Sequence, residues 1–223
     1  MSHIPLSKSH LWVVPAAAAQ PEAPPAPEPE RTPLALLLLD QIDCALLACN
    51  PQGHVLLANH AARRELAAAR VLRLVDAQLR SVNEPQDEFL QLLRDAAFKQ
   101  RSRVQWLGGE AHRLMVGAMP LPARDVGEPA ALLMLGRRSL CSPLGLEMLA
   151  MEHGLTLAER RVMRALTSNQ SPRQIASDHG VAMCTVRTQI IAIRNKLGVR
   201  NIDALMLRAA QVPPVASAND GGD

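Results

Sequence analysis

Ala176, Gly180 and Val186 stand at the spacing that two helices joined by a tight turn require. Ala176 is small where one helix must cross another closely. Gly180, four residues on, allows the positive φ that a side chain would penalise at the turn. Val186, six further on, is placed to pack back against the first helix. Around them runs Ser171-Pro172-Arg173-Gln174-Ile175-Ala176-Ser177-Asp178-His179-Gly180-Val181, then Thr185-Val186-Arg187-Thr188-Gln189-Ile190. The stretch reads as a helix-turn-helix over 172–191 whose second helix carries cationic and polar side chains outward.

Helix-start chemistry supports this. Thr156-Leu157-Ala158-Glu159 is a hydroxyl followed three residues later by a carboxylate, a pair that satisfies two free N–H groups reciprocally. Ser171-Pro172 places a capping hydroxyl before a proline whose missing N–H costs nothing at the first helical position. The third helix is expected over Met183–Leu197, ending at Gly198. A fourth follows from Asn201, with Ile202, Leu205, Met206, Ala209 and Ala210 on one side. Val186, Ile190, Ile193 and Leu197 are core by their spacing.

Charge divides unevenly along the chain. Of 24 basic and 21 acidic residues, 155–210 hold nine and three, a balance of +6. Fifteen and eighteen remain elsewhere, a balance of −3. The asymmetry places a polyanionic partner at the C-terminal end. Aromatic residues are 2% of the chain and Tyr is absent, which argues against single-strand binding by base stacking.

The N-terminal two-thirds read differently. Residues 15–33 are dominated by Pro, Ala and Glu and are expected to form an extended tether. The preceding stretch, with Leu11-Trp12-Val13-Val14, is a tail or a short docking peptide. Leu34–Ile42 is expected as a helix, and Cys44–Cys49 and Val55–Ala58 as strands joined by Asn50-Pro51-Gln52-Gly53. Helices are expected over Ala61–Ala69 and Glu84–Gln100. The latter has Phe89, Leu92, Leu93, Ala96 and Ala97 on one face. Val104–Leu107, His112–Met119 and Ala130–Leu135 are three further strands in antiparallel succession, with a loop from Pro120 to Pro129. Ser142–Gly154 is expected as a connecting helix.

Two resemblances rest on these residues. Ala45 to Asn59, a strand, a turn at Gly53 and a strand ending where Asn59 opens a helix, resembles the first half of a PAS-type sensor domain. That family implies a five-stranded antiparallel sheet crossed by helices on one face, often enclosing a pocket. Leu155-Thr156, Glu159, Val162, Ser171, Ile175-Ala176, Gly180-Val181, Thr185-Val186-Arg187-Thr188, Ile193 and Lys196 to Asn201 resemble the DNA-binding domain of LuxR-type transcriptional regulators. The implied architecture is α+β: a tail over 1–33, a PAS-like domain over 34–137, a linker helix over 138–154, an all-α four-helix domain over 155–212 and a tail over 213–223.

The LuxR-type resemblance implies that the third helix enters the major groove of duplex DNA and that the fourth helps pair two copies. Arg187 and Thr188 fall on groove-facing positions, where Arg grips guanine O6 and N7 and the Thr methyl meets a thymine methyl. Ser171 and Thr185, near helix N-termini, are candidates for phosphate hydrogen bonds. Arg173, Arg194 and Lys196 are candidate phosphate contacts, and Gln189 and Ile191 complete the set. Three departures stand out. Ala182 replaces the usual N-cap Ser or Thr of the third helix, His179 replaces a Leu, and Ile191 stands where many relatives carry a polar base-reading residue.

The expected partners are double-stranded DNA and a second copy of the chain, with RNA polymerase a further candidate. A small-molecule ligand of unspecified identity, or a protein, is the signal the N-terminal domain would take. The lack of Tyr argues against acyl-homoserine-lactone recognition of the usual family type. No resident cofactor is expected. The longest aliphatic run, Leu34 to Leu39, is far short of the ~20 residues of a membrane helix. No secretory pattern opens the chain, and Cys44, Cys49, Cys141 and Cys184 form no regular framework. The expected location is therefore cytoplasmic, at the nucleoid. Seven His without metal spacing, and no paired carboxylates, Cys/His arrangement or phosphate loop, argue against an enzyme. A sigma-factor-like promoter-recognition protein is the alternative, disfavoured by the strand chemistry upstream of residue 137.

Overall fold

Asn50 closes the first hairpin. Its side-chain oxygen accepts from the backbone N–H of Gln52 (3.1 Å) and His54 (3.0 Å), and Gly53 adopts φ +87°. This holds β1 (Ala45–Cys49) antiparallel to β2 (Val55–Ala58). The computed structural model describes residues 34–216; the expected tether over 15–33 and residues 217–223 lie outside them.

Asn59, 1% exposed, follows β2 and organises the elements around it. Its Oδ1 accepts from Ala62 N (3.0 Å), capping α2 (His60–Ala68), and from Leu46 N (3.0 Å). Its Nδ2 donates to Cys44 O (2.8 Å) and to Leu39 O (3.1 Å) at the end of α1 (Leu34–Asp40). A buried amide is tolerated only when so satisfied. The helix opened by Asn59 is thus also pinned to the entry of β1.

Next comes a hairpin that the sequence reading did not anticipate, β3 (Leu72–Val75) paired with β4 (Gln78–Ser81). Its two-residue turn, Asp76-Ala77, has φ of +51° and +61°, the conformation of the tightest hairpin turns. Ala is rarely used there, so the usual Gly signal is missing.

α3 (Gln86–Ala97) is close to the expected helix, with Asp87 and Glu88 in its first turn where the helix dipole favours acids. Its apolar face, Phe89, Leu92, Leu93 and Ala96, is buried against the sheet. β5 (Arg103–Leu107), β6 (Leu114–Leu121) and β7 (Ala130–Leu135) complete a five-stranded antiparallel sheet in the order β2-β1-β7-β6-β5. β6 begins two residues later than expected, because 110–112 form a 3-10 turn, and the expected loop after it contains a short helix, α4 (Ala123–Val126). Leu47, Leu107, Val116 and Leu133 line the inner face of the sheet and are buried in one core with the apolar face of α3. Truncating a fully buried ring such as Phe89 to Ala would cost about 3–5 kcal/mol. The five-stranded antiparallel sheet with helices over one face is the arrangement the PAS-type resemblance implies.

The helical part follows: α5 (Pro143–Glu152), α6 (Leu157–Thr167), α7 (Pro172–Asp178), α8 (Met183–Leu197) and α9 (Ile202–Ala210). α5 is more than a connector. Leu146, Leu149 and Ala150 are buried in one core with Val162, Met163, Ile175, Val186, Ile193 and Leu205. Glu147 on α5 pairs with both Arg160 (3.0 Å) and Arg164 (2.8 Å) of α6. On α9 only Leu205 and Ala209 are buried; Ile202 and Ala210 are exposed, narrowing the expected apolar side. Residues 214–216, placed by the sequence reading in the C-terminal tail, run beside 41–43. Asp43 N donates to Pro214 O (2.7 Å) and Ala216 N to Gln41 O (2.8 Å).

Candidate nucleic-acid interface

The support for α8 is built from caps. Thr156 and Glu159 form the reciprocal capping box at the start of α6, and Ser171 and Gln174 form a second at the start of α7. α7 ends where His179 N donates to Ile175 O (2.9 Å), Gly180 takes φ +63° and Val181 N donates to Ala176 O (3.0 Å). A Cβ on Gly180 would meet no atom within 4 Å, so backbone conformation and not space favours glycine there. Ala182 then begins α8 with no side-chain cap, and Gly198, at φ +66°, ends it.

Val186, Ile190, Ile193 and Leu197 are buried, as their spacing requires. Their burial fixes the rotation of α8 and hence what it shows to solvent. Opposite the core, at helical spacing, lie Cys184, Thr188, Ile191 and Asn195, with Arg187 on the flank; all five are exposed. The Thr188 hydroxyl donates to Cys184 O (3.0 Å), which orients its side chain. Ile191, 53% exposed, is an apolar spot in the middle of this ridge. Cys184 is a free thiol. Asn195 was not singled out from the sequence, although its position seven residues after Thr188 and four after Ile191 puts it on the same stripe.

The remaining candidates are distributed around the ridge. Thr185 is exposed in the first turn of α8, and Arg173 is exposed in the first turn of α7. Gln189 is half-buried and lines a shallow concavity of about 480 Å³ with Arg161, Asp178 and His179, on the α6–α7 side of the helix. Arg194 is half-buried, with its Nε enclosed and unpaired among the described residues.

Two candidates are otherwise engaged. The Ser171 hydroxyl accepts from Gln174 N (3.3 Å) and donates to Gln174 Oε1 (2.8 Å), so its donor is consumed by the cap. Lys196 Nζ donates to Glu159 Oε2 (2.7 Å) and Gly154 O (3.0 Å), tying α8 to the start of α6. Ser171 thus spends its hydroxyl proton within the domain, whereas the Lys196 ammonium keeps one proton beyond these two bonds. Burial works to raise the Glu159 pKa, but the Lys196 hydrogen bond, the bonds from Thr156 and the Lys196 charge outweigh it and hold the carboxyl below its ordinary value.

Pairing also sorts the cations. Arg160 and Arg164 share the single charge of Glu147, and Lys196 pairs with Glu159. Arg161, Arg173, Arg187, Arg200 and Arg208 are exposed, and no hydrogen bond or ion pair engages them among the described residues. Internal pairs take up three of the domain's nine basic residues and, among the described residues, leave six arginines, five of them exposed and Arg194 half-buried.

Among the described residues no helix is long and apolar enough to cross a membrane, and no three His, Cys, Asp or Glu side chains cluster as a metal site would need.

The family model described as bacterial regulatory proteins, luxR family, matches residues 153–209. No curated protein matches the chain. Solved structures to which it is similar include a VqmA–ligand–DNA complex of Vibrio cholerae, at 18% identity over 83% of this chain and 92% of that one, TM-score 0.36. Another is the Vibrio cholerae VqmA dimer in the absence of target DNA, at 17% identity over 79% and 86%, TM-score 0.35. A phage VqmA–DPO complex has 20% identity over 81% and 89%, TM-score 0.34. The domain match covers α6, α7, α8 and the body of α9, with the capping boxes and the exposed ridge described above. Residues 153–209 of this chain form a LuxR-type helix-turn-helix domain.

Proposed function

We propose that the chain is a dimeric transcriptional regulator that reads duplex DNA with α8 in the major groove. The observation that carries this reading is the rotation of α8. Val186, Ile190, Ile193 and Leu197 are turned inward, and Arg187, Thr188, Ile191 and Asn195 are left along one exposed ridge. A guanidinium without an internal partner beside a methyl-bearing Thr and an apolar Ile is chemistry for a guanine flanked by thymines. Arg173 and Thr185, in the first turns of α7 and α8, are suited to phosphates, as are Arg161 and Arg200 by charge. Ser171 and Lys196 serve the domain's own structure, and Gln189 and Arg194 lie at the edge of the interface. The domain division follows the two cores: sheet and α1–α3 to about residue 137, α5–α9 thereafter.

Two copies on a two-fold site would set the half-sites about one helical turn apart. The sheet domain supplies the signal, from a small molecule or a protein, and RNA polymerase is the downstream partner. The location that follows is cytoplasmic, on the nucleoid, and the protein acts by binding rather than by catalysis.

The test is selection of duplexes bound by the full chain from a random pool, followed by titration of the winner across a salt series. The reading expects a two-fold-related sequence and an affinity that falls linearly in log–log form with salt. Enrichment of no sequence over random duplex would overturn it.

A further inference from the structure

Arg137 and Arg138 stand where the chain passes from the sheet to the helices. β7 ends at Leu135, opposite Ala45 of β1, so the chain leaves the sheet beside Asp43 and Cys44. The next two residues fasten it to the end of α6. The Ser139 hydroxyl donates to Thr167 O (3.3 Å), and Leu140 N donates to the same carbonyl (2.9 Å). α5 begins soon after, at Pro143. The two guanidiniums are thus carried on a short span held at both ends.

A cavity of about 190 Å³, room for several waters, opens beside this span. Its wall carries Arg64, Arg137 and Arg138 against Asp43 and Glu65. Asp43 is paired with Arg64 (3.1 Å) and Glu65 with Arg70 (3.5 Å). Glu65 also lies 3.7 Å from Arg138 Nε, too far for a hydrogen bond. Arg138 Nη1 donates to His112 O (3.3 Å), whereas Nε and Nη2 are enclosed with no hydrogen-bond partner among the described residues. Arg137 is exposed, and no hydrogen bond or ion pair engages it among the described residues. Burial raises the pKa of both Cys44 and Cys141, and the Arg137 charge opposes it at each, so this guanidinium is felt at the entry of β1 and just before α5 alike. Pro143 borders the cavity too, which puts the positive end of the α5 dipole at its rim.

An exposed arginine alone is a solvated charge. This one adjoins an arginine whose enclosed donors meet no acceptor, an arrangement that is costly until a partner arrives. The cavity wall also holds one cation more than its carboxylates neutralise. We propose that this cavity binds a small anion, a molecule bearing a phosphate or a carboxylate, with Arg137 and Arg138 as its clamp. Guanidinium forks match the oxygens of either group, and two on consecutive residues divide one such group between them. Because the clamp lies between the exit of β7 and the contact with α6, an anion held there stiffens the passage from the sheet to the helices. The site stands whether or not α8 reads duplex.

The test is isothermal titration of the full chain, free of DNA, with inorganic phosphate and with acetate, at constant ionic strength against a sodium chloride blank. Saturable uptake of at least one anion is expected. Uptake of phosphate alone assigns a phosphoryl ligand, and uptake of acetate alone a carboxylate one. Arg137→Gln and Arg138→Gln should each lower the affinity roughly tenfold or more, as the loss of a charge-assisted hydrogen bond does, with far-UV circular dichroism unchanged. Should Arg138→Gln unfold, Arg137→Gln, at an exposed position, decides alone. Arg187→Ala, on the ridge of α8, should take up the anion as the parent does. No saturable uptake of either anion would overturn the proposal. So would uptake that survives the Arg137 and Arg138 substitutions but is lost in Arg187→Ala, since the anion would then sit on the α8 ridge.

Discussion

Lys196 Nζ lies 2.7 Å from Glu159 Oε2, joining the last turn of α8 to the first turn of α6 across 37 residues of sequence. The same carboxyl oxygen accepts from Thr156 N at 2.7 Å, so one buried group serves as both helix cap and interhelical tie. Lys196→Ala removes the partner of a carboxylate that is 7% exposed. It is expected to lower the stability of the helical domain by about 1–3 kcal/mol, measured by chemical denaturation. The Glu159 pKa is depressed in the folded chain, so its contribution is complete above about 4.5 and disappears as pH falls through the folded value. The parent's stability should therefore drop more steeply in acid than that of Lys196→Ala.

Asp95 provides the corresponding tie in the sheet domain. It accepts from Lys99 (2.8 Å), Gln91 (2.7 Å) and Arg103 (2.9 Å), and these bonds outweigh burial and lower its pKa to about 2. Its stabilisation is present above about 4 and is lost between about 4 and about 2. Asp95→Asn should flatten that part of the stability-versus-pH curve and leave the neutral part lower than the parent's.

Ala182 offers a gain. Its φ of −66° and ψ of 148° already suit an N-cap, yet no side chain caps α8. Ala182→Ser is expected to stabilise the helical domain by about 1 kcal/mol, seen as a higher denaturation midpoint at unchanged slope.

Base reading and phosphate positioning separate by mutation. Arg187→Ala should weaken binding to the selected duplex by ~1–3 kcal/mol and random duplex by less. Arg173→Ala should weaken both alike and reduce the salt slope by ~1. Ser171→Ala should instead cost about 1 kcal/mol of folding stability through loss of its cap. Equal losses of specific affinity in all three variants would contradict these roles.

Cysteine labelling maps the ridge. Burial pushes the Cys49 thiol up to about 12, and Cys141 is also buried with a raised pKa, whereas Cys184 is exposed on α8. Maleimide should modify Cys184 first in the native chain, and cognate duplex should protect it. Labelling at an unchanged rate on saturated DNA would place another surface against the groove.

The helical half was legible because its signals are local. Thr156 with Glu159, and Ser171 with Pro172, announce helix starts within four residues, and Gly198 announces an end. The bounds of α8 follow from those and from the spacing of Val186, Ile190, Ile193 and Leu197. What depends on distant partners was not legible. Nothing in the composition near Lys196 reveals that Glu159 would claim it, and a capping hydroxyl at Ser171 looks the same in sequence whether or not it has a donor to spare. The β3–β4 hairpin escaped because Asp76-Ala77 makes a glycine-type turn without glycine. Asn195, seven residues after Thr188, lay within reach of the helical period.

The hydrogen bonds between 41–43 and 214–216 have a mechanical consequence. The backbone leaving the last helix is laced to the backbone entering the first strand of the sheet, so the polypeptide forms a ring fastened at its seam. A displacement at the sheet's entry would pull on α9 directly, without passing through α5 and the three helices between. For the signal proposed to arise in the sheet domain, this seam would be a second, shorter route than the helices between.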